Sequence, residues 1–90
     1  MNKQNTVGRP IETAGDIDSL PKGTPLKMRV FMDALCNTSP IILEDRTGVP
    51  KVSWWTWRNN YRKGKMSLEK QIELAEMVGA DCTQIDVIIK

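Results

Sequence analysis

The sequence contains no histidine, and its two cysteines, Cys36 and Cys82, are too far apart to form a metal-ligand pattern. The missing imidazole removes the usual partner of a nucleophilic serine or cysteine. No carboxylate is grouped with a base in a way that suggests acid–base chemistry, so an enzyme is not expected and no metal or cofactor is called for. The cysteines carry no disulfide spacing signal and read as reduced thiols of a cytoplasmic protein. No stretch approaches the ~20 apolar residues of a membrane span. The polar start, Met1 to Thr6, lacks the apolar run of a signal peptide. With 90 residues there is room for one compact domain and little room for a substrate cleft, and no small-molecule substrate is evident.

A more informative absence is local. From Arg46 to Lys65 there is no acid, while Arg46, Lys51, Arg58, Arg62, Lys63 and Lys65 are all basic. The flanking stretches mix both signs, and the net charge is only +2. A basic block inside a nearly neutral chain is the footprint expected of phosphate binding. The bland alternative is a solvated helix face, but ordinary surface helices mix signs.

Residues 1–23 hold Gly8, Pro10, Gly15, Pro21 and Gly23 without a sustained apolar period, and read as a flexible N-terminal arm. Lys3 and Arg9 could touch a groove or phosphates. Residues 24–90 read as the folded domain. Thr24-Pro25 suits a helix start, and Leu26, Met28, Phe31, Met32 and Leu35 share one helical face, with the helix ending near Asn37. Ser39-Pro40 signals a second helix with Ile41, Ile42 and Leu43 as its apolar residues, closed by Gly48. Pro50 opens a third helix to about Arg62. Ser67 caps a fourth, carrying Leu68, Ile72, Ala75 and Val78 at helical spacing and stopped by Gly79.

Two helices joined by a tight turn, the second of them basic, define a helix-turn-helix. On the third helix Trp54, Trp57 and Tyr61 share an inward face. Lys51, Val52, Trp55, Thr56, Asn59 and Arg62 lie opposite, with Arg58, Lys63 and Lys65 flanking. Arg and Lys can bond guanine, Asn can bond adenine, and the methyls of Val52 and Thr56 can meet thymine. The flanking cations suit phosphates.

The stretch Ile42 to Pro50 resembles the helix-turn-helix of phage repressor and Cro proteins. Leu43 stands at the apolar position before the turn, Gly48 at the turn and Val49 just after it, and Trp54 and Trp57 fall on the apolar positions of the second helix. Ser67 to Asp81 is similar to the helix that follows in that family. The resemblance covers about residues 26–82, with Glu44 where the family usually has alanine. It implies an all-α, four- to five-helix domain. It also implies sequence-specific binding of double-stranded DNA as a transcriptional regulator of phage or mobile-element type, working by occupancy as a homodimer. The competing reading is a protein-binding antirepressor or host-factor inhibitor on the same fold.

The last segment contains Ile85, Val87, Ile88 and Ile89. Its alternation and β-branched content suggest a short strand, and a fifth helical turn is the competing reading. A lone strand needs a partner, and with the rest of the domain reading as helical, the expected partner is the same segment of a second copy, paired about a two-fold axis.

Overall fold

A computed structural model describes residues 15–83 and 86–90. The described residues begin with a 3-10 turn, Ile17–Ser19, followed by strand β1 (Leu26–Lys27) and helices α1 (Met28–Cys36), α2 (Pro40–Thr47), α3 (Lys51–Arg62) and α4 (Leu68–Met77). Strands β2 (Ala80–Thr83) and β3 (Asp86–Ile89) close it. The protein is mostly helical, with a small antiparallel sheet ordered β1-β3-β2. No helix among the described residues is long and apolar enough to cross a membrane.

Helix α1 lies at the centre. Met28, Val30, Phe31, Met32, Ala34, Leu35 and Cys36 are all buried, while Arg29 and Asp33 face outward. The expected apolar stripe is present but wider than one face, because the sheet, the 3-10 turn and α4 pack around this helix. The helix starts later than Thr24-Pro25 implies. Leu26 and Lys27 are taken into β1, opposite Val87 and Asp86, so Thr24 has no helical N–H groups to cap.

The caps of the next helices follow the sequence. Pro40 occupies the first turn of α2, and the Ser39 hydroxyl accepts from the Ile41 N–H at 3.2 Å. The Ser67 hydroxyl accepts from the Lys70 N–H at 3.1 Å at the start of α4. Each satisfies a donor that the first helical turn leaves without an intrahelical partner. Only Leu43 of the apolar run in α2 is buried. Ile41 and Ile42 are exposed, contrary to their expected packing role, because a helix of two turns presents one narrow face to α3.

The C-terminal segment is a strand, but its partners lie within the chain. Val87 stands opposite Leu26 on one side and Cys82 on the other. As the central strand, β3 has both hydrogen-bonding edges occupied, which leaves no edge for the same segment of a second copy. The expected two-fold strand pairing is therefore corrected, and so is the fifth helical turn; the helical class holds in its coarse form, with the C-terminal strand joined by β1 and β2. Val87 is fully buried, and Ile88 and Ile89 are half-buried. Ile85 lies outside the described residues.

Part of the stretch expected to be arm belongs to the folded domain. Ile17 and Leu20 are buried in the core. The Ile17 N–H donates to the Thr38 hydroxyl at 3.0 Å, and that hydroxyl donates to the Ala34 carbonyl at 2.8 Å, so a buried polar side chain joins the segment to the end of α1. The Gly23 N–H donates to the Ile89 carbonyl at 2.7 Å. Residues 1–14, including Lys3 and Arg9, lie outside the described residues.

Between α2 and α3 the chain turns at Gly48, whose φ of 80° is left-handed and whose N–H donates to the Glu44 carbonyl at 2.8 Å. Thr47 supports this turn. Its hydroxyl donates to the Leu43 carbonyl at 2.6 Å and accepts from the Val49 N–H at 3.2 Å. Leu43 and Trp54 are fully buried across the turn. Trp57 meets Trp54 edge to face at 5.0 Å and remains half-buried. Trp55 is 57% exposed.

Two stability measurements follow. Trp54→Ala should cost about 3–5 kcal/mol in urea denaturation, and Trp55→Ala under about 0.5 kcal/mol, because only the first opens a cavity. A Cβ at Gly48 meets nothing within 4 Å. Gly48→Ala should therefore cost only the left-handed backbone penalty, about 1–2 kcal/mol, and Gly48→Asn less.

Candidate nucleic-acid interface

Inward burial of Trp54 sets which residues α3 turns outward, since each position advances about 100° around the axis. Lys51, Val52, Trp55, Thr56, Asn59, Arg62, Lys63 and Lys65 are exposed, and Arg58 is half-buried. Every residue expected on the binding face thus lies on or beside the outer side of α3 or on the turn after it. Lys63 and Lys65 are carried by that turn, where Gly64 takes a φ of 73° and the Lys65 N–H donates to the Asn60 carbonyl at 2.8 Å.

The cations do not all behave alike. Arg46 is held by Asp18 through two hydrogen bonds at 2.8 and 2.9 Å, which removes it from the basic block. Lys51, Arg58, Arg62, Lys63 and Lys65 form no ion pair among the described residues. The two arginines are nonetheless turned toward the flank. The Arg62 guanidinium donates to the Cys36 carbonyl at 3.5 Å, a cation at the C-terminal end of α1, where the helix dipole favours it. Burial pushes the Cys36 thiol up, and the charges of Arg62 and Arg58 pull it back in part. The Arg58 guanidinium lies 5.8 Å from the centre of the Trp55 ring, and its Nε is buried with no partner among the described residues. The centre of the face is left to Val52, Trp55, Thr56 and Asn59.

Thr56 is expected to offer its methyl group to thymine. Its Oγ donates to the Val52 carbonyl one turn back at 3.1 Å, so the γ-methyl is the group that remains to be offered. Asn59 makes no side-chain hydrogen bond among the described residues and keeps its amide available.

A second feature was not legible from periodicity. A cleft of about 260 Å³ between the end of α3 and the start of α4 is lined by Trp57, Asn60, Lys65, Met66, Ser67 and Lys70. The Lys70 ammonium stands 4.4 Å from the Trp57 ring centre and 3.4 Å from Glu73 Oε1. Seeing it requires the placement of α4 against α3, which helical spacing within either segment does not contain. Exposed Ile41 and Ile42 were missed for a related reason: an apolar run signals burial without saying which member faces inward.

No family model matches the chain, and no curated protein or solved structure matches it.

Proposed function

We propose that this protein binds double-stranded DNA through α3, with α2 and α3 acting as a helix-turn-helix of the repressor/Cro type, and regulates transcription by occupying its site. The observation that carries this reading is an exposed helix face bounded by Lys51, Lys63 and Lys65, none of which meets a carboxylate among the described residues. Such cations suit phosphates, which give affinity and register, while side chains at the centre of the face reach base edges. A second copy on a half-site about one helical turn away belongs to this reading. The surface joining the two copies would not be β3, whose edges are filled.

A protein-binding module is the second reading. Ile41 at 63% and Trp55 at 57% exposure favour it, because large apolar side chains in water suit a protein contact. Salt separates the two. For the full chain on a mixed-sequence duplex, log K should fall with log salt by about 0.9 for each phosphate neutralised. Lys63→Ala with Lys65→Ala should flatten that slope by about 2 and leave the melting temperature unchanged. Absence of duplex binding at low salt would favour the protein partner.

A further inference from the structure

We infer that the centre of the α3 face reads the 5-methyl groups of thymine, so that its preferred duplex is recognised by apolar contact more than by guanine hydrogen bonding. This rests on the DNA-binding reading and deepens it. Bidentate recognition of guanine needs an arginine or lysine over the base edge. Neither arginine of α3 is free at the centre. Arg58 lies against Trp55, and Arg62 reaches back to the Cys36 carbonyl. The lysines stand at the two ends of the helix, at Lys51 and just past it at Lys63. Between them the helix offers a Val52 side chain 65% exposed, the exposed Trp55 ring and the methyl of Thr56.

The Thr56 methyl is presented because its hydroxyl is bonded to the Val52 carbonyl. That same bond places the two residues one turn apart on the same side, about 6 Å along the axis. Two base steps of a duplex span about 6.8 Å, so both methyl-bearing side chains can meet thymines of one site at once. Beside them stands the exposed Trp55 ring, with the Arg58 guanidinium 5.8 Å from its centre. Asn59 lies one turn beyond Trp55 with a free amide, suited to adenine N6 and N7. An A·T pair carries both partners, the methyl and the adenine edge, and a G·C pair carries neither.

The test uses the full chain. Duplexes are first selected from a random-sequence pool, and the selected consensus is then synthesised with uracil replacing each thymine in turn. Uracil keeps every hydrogen-bonding atom of thymine and removes only the methyl. The expected result is a rise in Kd of about fourfold at each contacted position, for at least two positions. Val52→Ala should abolish the uracil penalty at one of them, and Thr56→Ser, which keeps the hydroxyl, at the other. Both residues are exposed, so the melting temperature should stay at the parent value. Equal affinity for the thymine and uracil duplexes would overturn the inference and leave DNA binding intact. Selection of no duplex at all would overturn the DNA-binding reading, and this inference with it.

Discussion

Burial of Trp54 is the contact on which the outward face depends. Its indole is fully enclosed, packed edge to face with Trp57, and it fixes the rotation of α3 about its own axis. A helix turned by one position would bring Trp55 inward and move Asn59 and Thr56 off the centre of the face. The large area buried by one indole outweighs the smaller preferences of the polar residues. The Trp54 Nε1–H meets no acceptor among the described residues, and a buried donor left unbonded costs about 1–3 kcal/mol against the apolar gain. Packing of this indole is thus the main term that positions the face.

The turn before α3 does complementary work. Gly48 sets the left-handed step, and the Thr47 hydroxyl bridges the Leu43 carbonyl and the Val49 N–H. Glu44, at the position where the resembled family usually carries alanine, is exposed. Its carboxylate therefore does not have to be accommodated between the helices, and the departure from the pattern is tolerated. Asp18 holds Arg46 in the last turn of α2, so the end of the helix that leads through Gly48 into α3 is also tied to the 3-10 turn.

The helices were legible because their signals are local. Ser39, Pro40, Gly48 and Ser67 act within one turn of their own position, and the indole spacing of Trp54 and Trp57 is enough to orient α3. What was not legible depends on residues far apart in the chain. Leu26 and Lys27 look helical beside Met28, and they become a strand only because Val87 and Asp86 lie alongside. Ile17 and Leu20 carry no period, yet the Thr38 hydroxyl and the α1 core hold them. In the candidate site the cations were identifiable by charge. The diversion of Arg62 to the end of α1 and the back-bonded Thr56 were not, because both are settled by neighbours that charge does not name.

The central position of β3 has a consequence for strand-mediated aggregation. Val87–Ile89, the apolar part of β3, is β-branched throughout, the composition that stacks readily into cross-β assemblies when its backbone is open. Between β1 and β2 both rows of its amides and carbonyls are occupied, and the outer strands left as sheet edges are only 2 and 4 residues long. Local pairing with β2 covers one row early. The other row stays open until Leu26, distant in the chain, arrives, so the interval before β1 docks is when this segment is most prone to aggregate.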